Sequence, residues 1–222
     1  MTYATDLMLL LLDPKKGRPV ANSPGLPLAL GGAVLLELAI TDSIRISGPA
    51  EAVKKGRVVP TAVKHEDPFL SDGLSALRAS SPMKAQNAVS KLSKNLQPKV
   101  LAQLKRERQI SEERDRVLGI FPRTKWYPRI HSRREELRED LGKVLTEGGE
   151  PSSRTSALIA LLSAVDAVPK VFPEAEKKAI RKRAKEIADR EWAAKAVRDA
   201  VESVQAAIMA SIVAANAASS GG

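Results

Sequence analysis

Residues 28–40, LALGGAVLLELAI, carry one charge, at Glu37, and are apolar on nearly every side of the helix their composition favours. Such a helix cannot rest on a surface. It has to be enclosed, so the rest of the chain must supply helices that enclose it. Gly31-Gly32, at its middle, costs about 1 kcal/mol per glycine in helix propensity. Close packing against a neighbouring helix is the expected compensation. Residues 153–168 contain Leu158, Ile159, Leu161, Leu162 and Val165 with almost no polar relief, which predicts a second and more deeply buried helix. Aromatics make up only 3% of the chain, so this core is aliphatic, and 222 residues are enough for one such core.

The rest of the pattern is also mainly helical. Residues 2–12 predict a short helix, stopped by Asp13-Pro14 and turned by Gly17. Residues 44–47 and 57–61 predict a hairpin around the loop GPAEAVKKG. Asp67-Pro68 and Ser81-Pro82 each pair a capping residue with proline at the first helical position. They predict helices over 68–79 and 82–106, with Pro98 kinking or dividing the second. A second hairpin follows, with strands at 109–110 and 116–120. Ser132-x-x-Glu135 is a capping box that starts a helix at Arg133 and runs it to about Leu145. Pro173 opens a basic helix over 174–189. Val197, Val201, Val204, Ile208 and Ile212 then share one stripe of a final helix. The reading is a mainly α single domain, a helical bundle with two small β-hairpins over residues 1–216, followed by a frayed tail at 217–222.

The charge balance points outward. A formal charge of +10 and a pI near 9.9 favour polyanionic partners such as acidic lipid, acidic protein or nucleic acid. The absence of Cys excludes disulfides and thiolate metal sites and is compatible with a reducing cytoplasm. Nothing reads as a signal peptide, and the apolar runs are shorter than the roughly 20 residues a membrane helix needs. Any membrane contact is therefore expected to be peripheral.

The strongest candidate site is the run RVLGIFPRTKWYPRIHSRR at 116–134. It holds Arg116, Arg123, Lys125, Arg129, Arg133 and Arg134 and no acidic residue. Phe121, Trp126 and Tyr127 stand among those charges, and Pro122 and Pro128 interrupt it. This predicts a loop or hairpin tip whose cations meet anionic headgroups while Phe121, Trp126 and Tyr127 insert. Each cation close to an acidic bilayer contributes about 1 kcal/mol, so six give at most about 6 kcal/mol. The competing expectation is that Phe121 and Trp126 pack back onto the domain and the charges form a solvated rim.

Other features carry less. Lys178, Arg181, Lys182 and Lys185 share a helix face, but Glu174, Glu176 and Glu186 dilute it, as in a charge-laced surface helix. His65 and His131 read as surface residues with no spaced partner for a triad or metal site. Glu37 and Asp166 lie on apolar segments, where two carboxylates could form an acid/base pair, although such groups are far more often salt-bridged core residues. There is no phosphate-binding glycine motif, so no nucleotide site is suggested, and with these features together no cofactor, metal or catalysis is expected. Residues 28–61 resemble a winged helix with Lys54, Lys55 and Arg57 on the wing, but a recognition helix must expose polar side chains to base edges.

Four blocks in register carry a resemblance: LMLLLLDPKKGRP, LALGGAVLLELAITDSIRI, VSKLSKNLQPKVL and EPSSRTSALIALLSAVDAVPKVF. Over about residues 5–212 the chain resembles the Golgi phosphoprotein 3 family, most closely its shorter bacterial branch. The resemblance implies a helical core with peripheral hairpins. The family's eukaryotic members are peripheral membrane proteins that bind phosphatidylinositol 4-phosphate on the cytoplasmic face of the Golgi, and that hold the cytoplasmic tails of glycosyltransferases. Their headgroup-binding Trp falls on Asn22, one pocket Arg on Gly31, and a later pair of Arg on Gln86 and Val89, so none of the four keeps its residue type or charge. Lys84 and Lys91 are close to the lost pair, and Lys91 falls on a basic residue of the family. The family's membrane-facing hairpin falls on Gln109 to Ile130.

The expected function is non-enzymatic. The chain would bind phosphatidylinositol 4-phosphate or another anionic phospholipid, through Arg123, Lys125, Arg129, Arg133, Arg134 and Lys91, and act as an adaptor for a client protein. The alternatives are a protein-interaction module without lipid affinity and a nucleic-acid binder.

Overall fold

Thr2 caps α1 (Tyr3–Leu11) by accepting the Thr5 backbone N–H on its hydroxyl, and every residue of that helix is buried. The Leu run at 7–12 is therefore core on all sides, as enclosed as α2 (Gly25–Ile40) and α7 (Ser153–Ala164). The computed structural model describes residues 1–21, 25–117 and 121–189, the side chains of 116, 117, 121 and 122 excepted, together with 206, 208–210, 212, 213 and 217. Asn22 and the expected stripe positions Val197, Val201 and Val204 lie outside the described residues. Ile208 is fully buried, and Ile212 packs on the core beside Gly25.

α1 and α2 form the centre, against which α4 (Ala85–Leu92), α5 (Leu96–Arg106), α6 (Arg133–Thr146) and α7 pack. α3 (Pro68–Arg78) lies on α2, and α8 (Val168–Val171) and α9 (Lys177–Ala188) close over α7. The packing reason expected for the glycine pair is present at Gly31. A Cβ there would stand 2.6 Å from the Val89 carbonyl oxygen and 2.9 Å from the Ser93 nitrogen, so α2 and α4 touch backbone to backbone. The short hairpin β1 (Ile44–Ile46) and β2 (Val58–Pro60) pairs Ile44 with Pro60 and Ile46 with Val58.

Asp67 caps α3 as expected, accepting from Phe69 and Leu70 N–H at 2.9 and 3.2 Å, with Pro68 in the first turn. Three other boundaries differ from the sequence expectation. Ser81-Pro82 opens no helix, because Met83 is bridged to Val58 and accepts its N–H at 2.8 Å, holding the segment extended until Ala85. The division of the following helix falls at Asn95, in the left-handed region with φ 54°, and Pro98 sits in the first turn of α5, where its missing N–H costs nothing. At α6, Ser132 is the N-cap but makes no side-chain cap bond, since the Glu135 N–H donates to the Ser132 carbonyl at 3.1 Å, and the Ser132 N–H is itself given to the Arg129 carbonyl. Glu135 instead accepts the N–H of His131 at 3.0 Å, one residue earlier than the box predicts.

Candidate functional site

The second hairpin is longer than expected. β3 (Ile110–Val117) and β4 (Phe121–Pro128) pair antiparallel over their whole length, from Ile110 opposite Pro128 to Val117 opposite Phe121. Arg123, Lys125, Trp126 and Tyr127 are thus strand residues and not parts of an irregular tip. The prolines are tolerated because β4 is paired on one side only, so its other edge needs no ladder donor at those positions. On that outer edge the Trp126 N–H donates to the Gly17 carbonyl at 2.8 Å, which ties β4 to the α1–α2 loop. Gly17 has φ 62°, and a Cβ on it would be 2.7 Å from Tyr127 Cζ and 2.9 Å from Lys125 Cβ. At the opposite corner Arg129 N–H donates to the Gln109 carbonyl at 2.9 Å.

This placement gives four of the sequence-derived site residues other contacts. Trp126, partly buried, packs against the hydrophobic core, and Tyr127, also partly buried, lies on Gly17. Arg133 donates from Nε to Asp6 Oδ1 at 2.8 Å and from Nη2 to Asp6 Oδ2 at 3.3 Å. Arg134 is buried, donates to the Leu9 carbonyl at 3.1 Å, and has its pKa lowered chiefly by that burial. Lys125 stays at the surface, but its ammonium is 2.9 Å from Asp115 on the partner strand, a bond that holds its pKa up. Arg123 is half-buried, and Arg129 is exposed with no ion pair among the described residues. Phe121 pairs by its backbone with Val117, and its side chain lies outside the described residues.

The absence of acids from 116–134 also means less than it seemed to. β3 sets Glu113 opposite Lys125 and Asp115 opposite Arg123. Over the two strands, the four cations Arg114, Arg116, Arg123 and Lys125 are matched in number by three carboxylates, Glu112, Glu113 and Asp115, which leaves a single positive charge. Cross-strand pairing is invisible in a linear reading because the partners are up to twelve positions apart.

Lys91 is half-buried and lines a small cavity of about 110 Å³ with Lys94, Lys99 and Asp72, over Val34 and Leu92. Lys99 is already bonded to Asp72 at 2.9 Å. The face of Lys178, Arg181, Lys182 and Lys185 is charge-laced, with Arg181 clasping Asp166 through two bonds of 2.9 Å. Asp166 is therefore an exposed ion-pair partner with a lowered pKa, and it forms no acid/base pair with Glu37. Glu37 is mostly buried, accepts the Tyr3 N–H at 2.8 Å, and has its pKa pushed up to about 6 by burial.

Two polar clusters were missed in the sequence. Asp6 is fully buried and accepts from Arg133 and from Arg154, whose guanidinium also lies 4.5 Å from the Tyr3 ring centre. His65 meets Ser43 and Thr41 through Nε2, tying the end of α2 to the segment before α3. Ser43 is fully buried, so this pair fastens two segments and offers no accessible nucleophile. Neither cluster has a local signal, since its members are 22 to 148 residues apart. Among the described residues, no group of three or more His, Asp or Glu is placed to hold a metal ion.

The family model for Golgi phosphoprotein 3 (GPP34) matches residues 4–204, nearly the whole of this arrangement. The chain belongs to the Golgi phosphoprotein 3 family. No curated protein matches it. The resemblance to Golgi phosphoprotein 3 carried by the four sequence blocks therefore stands, and so does the mainly helical fold with two small antiparallel hairpins. No helix among the described residues is long and apolar enough to cross a membrane. Two of the four positions on which the resemblance places the family's headgroup residues, Gly31 and Val89, are closed by packing. Val89 is fully buried, and Gly31 has no room for even a Cβ, so an arginine at either place would require α2 and α4 to move apart.

Proposed function

We propose that the protein binds anionic membrane surfaces reversibly, through the far end of its long hairpin, without catalysis, and that it presents a client protein there. The adaptor role is what family membership suggests. The observation that supports the membrane reading is the hairpin's construction. Its base is held by Gly17, Gln109 and the Lys105–Glu112 ion pair, while its far end carries the uncharged run VLGIFP between Arg116 and Arg123. With Arg133 and Arg134 turned inward and Lys125 paired, Arg123 and Arg129 supply about 2 kcal/mol at an acidic surface. Alone that corresponds to a dissociation constant on the order of tens of millimolar. Two apolar side chains entering the bilayer add about 1.5–3 kcal/mol each, which brings the total to a weak, reversible association. The apolar run therefore carries more of the affinity than the charge does.

Flotation on neutral and anionic vesicles, at low and high salt, tests this. Wild type should float with anionic vesicles at low salt. Phe121→Ser should bind at least about tenfold less, and Arg123→Gln about fivefold less. Absence of flotation at low salt, or flotation indifferent to both changes, would overturn the reading.

A further inference from the structure

Where α7 turns into α8, a cavity of about 400 Å³ lies between those helices, α9, and Ala206 and Met209 of the C-terminal segment. Among the described residues its apolar wall is made of short side chains: Ala164, Ala184, Ala188 and Ala206, with Val168 and Pro169. Alanine leaves the gap, because a methyl group does not reach across the 8–10 Å or so that separates two packed helix axes. A cavity of this size is in the range of about 300–1,000 Å³ usual for small-molecule sites, which set a few polar groups in an apolar wall.

One such polar group is inside. Ser163 lines the cavity, and its Oγ is buried without a hydrogen-bond partner among the described residues. The residue is fixed in place, since its carbonyl accepts the Asp166 N–H at 3.1 Å in the turn out of α7. A buried hydroxyl of this kind is uncommon, because it has lost water and gained nothing in return. The charged groups stand at the rim, where Asp166, Arg181, Lys185 and Asp189 are all exposed. Arg181 is clasped to Asp166 by two bonds of 2.9 Å, and the charge of Lys185 is offset by that of Asp189. The rim therefore carries no net charge.

We infer that this cavity binds a neutral amphiphile, a single apolar chain of medium length that ends in a hydroxyl. The wall takes the chain, and Ser163 Oγ exchanges a hydrogen bond with the ligand's oxygen. A carboxylate or phosphate head would lose its hydration and meet a rim of zero net charge, so a charged head is disfavoured. A plain hydrocarbon would leave Ser163 unsatisfied. At about 30 Å³ per water-sized group the volume holds roughly a dozen such groups, which suits about ten carbons and one oxygen. None of the lining residues described belongs to the long hairpin, so the inference stands apart from the membrane reading.

The test uses protein isotope-labelled at its methionine methyl groups. Met209 lines the cavity, whereas Met8 is fully buried in the core and Met83 is bridged to Val58, so these two serve as internal controls. The protein is titrated with decanol, below its solubility limit, and separately with decanoate. A saturable shift of the Met209 signal is expected with decanol, while Met8 and Met83 stay in place. Decanoate should bind at least about tenfold more weakly. Ser163→Ala should weaken decanol binding about fivefold. Ala188→Phe fills the cavity and should abolish the shift, with an unmoved Met8 signal showing that the core is intact. The inference is overturned by the absence of a saturable Met209 shift, or by equal shifts at Met8 and Met83. Decanoate binding as tightly as decanol, or decanol affinity undiminished in Ser163→Ala, would overturn it as well.

Discussion

Asp6 has no solvent exposure and is held by two guanidinium groups from helices α6 and α7. Removing one partner of a buried charge cluster costs about 3–5 kcal/mol. Arg133 and Arg154 keep about a third of their side chains exposed, so the lower end applies. Asp6→Ala should lower unfolding stability by about 3 kcal/mol in urea denaturation. Glu37 predicts a pH effect. Its folded pKa, about 6, lies above the usual 4.5 because burial favours the neutral form. The folded state thus holds a proton that the unfolded state has lost between those values. The stabilisation is complete below about pH 4.5 and is lost as pH rises through 6, a difference of about 2 kcal/mol. Glu37→Gln should therefore stabilise the protein by up to about 2 kcal/mol at pH 7 and by nothing near pH 4. Gly31→Ala sets two effects against each other. Helix propensity gains about 1 kcal/mol. Forcing a Cβ onto a backbone oxygen 2.6 Å away costs more, since overpacking runs to about 1–3 kcal/mol and a helix backbone gives least. A net loss of stability is expected by thermal melting.

Among the elements, the long hairpin depends on a contact that neither of its strands contains. Gly17 meets Tyr127 and Lys125 so closely, and at a positive φ, that any side chain there strains the turn and pushes β4 away. Gly17→Ala should undock the hairpin. Trp126 should then become more exposed, seen as a red shift of its fluorescence in a Trp192→Phe background. Trp126→Ala acts on the same dock and should reduce stability, so loss of lipid binding in that variant would say nothing specific about membranes. The elements differ in how far the sequence discloses them. Helix interiors and the Asp67-Pro68 cap depend on nearest neighbours, and they stand where the pattern puts them. The Asn95 break, the bridged Met83 segment and the displaced Glu135 bond depend on hydrogen bonds already taken by other residues. A linear pattern does not contain those commitments.

Across the whole molecule the aliphatic pattern was enough to place the core, because burial is set by many residues acting together. Enclosure of the Leu-rich α1 on all sides was the part it understated. The candidate site was less legible because each residue's role depends on one distant partner. Arg133 and Arg134 look like the continuation of a basic run, yet they face Asp6 and the Leu9 carbonyl more than 120 residues away. Trp126 looks like a membrane anchor until Gly17 is brought beneath its strand. What survives is a molecule with net charge +10 whose long hairpin carries an uncharged run at its far end. The most direct measurement uses the chain's lack of cysteine. A polarity-sensitive fluorophore on Val117→Cys, at the far end, is compared with the same probe on Lys55→Cys, in an exposed loop of the other hairpin. On anionic vesicles containing brominated lipid, the account predicts a blue shift and strong quenching at position 117 and neither at position 55. Equal quenching at both positions, or none at 117 while the protein is vesicle-bound, would contradict it.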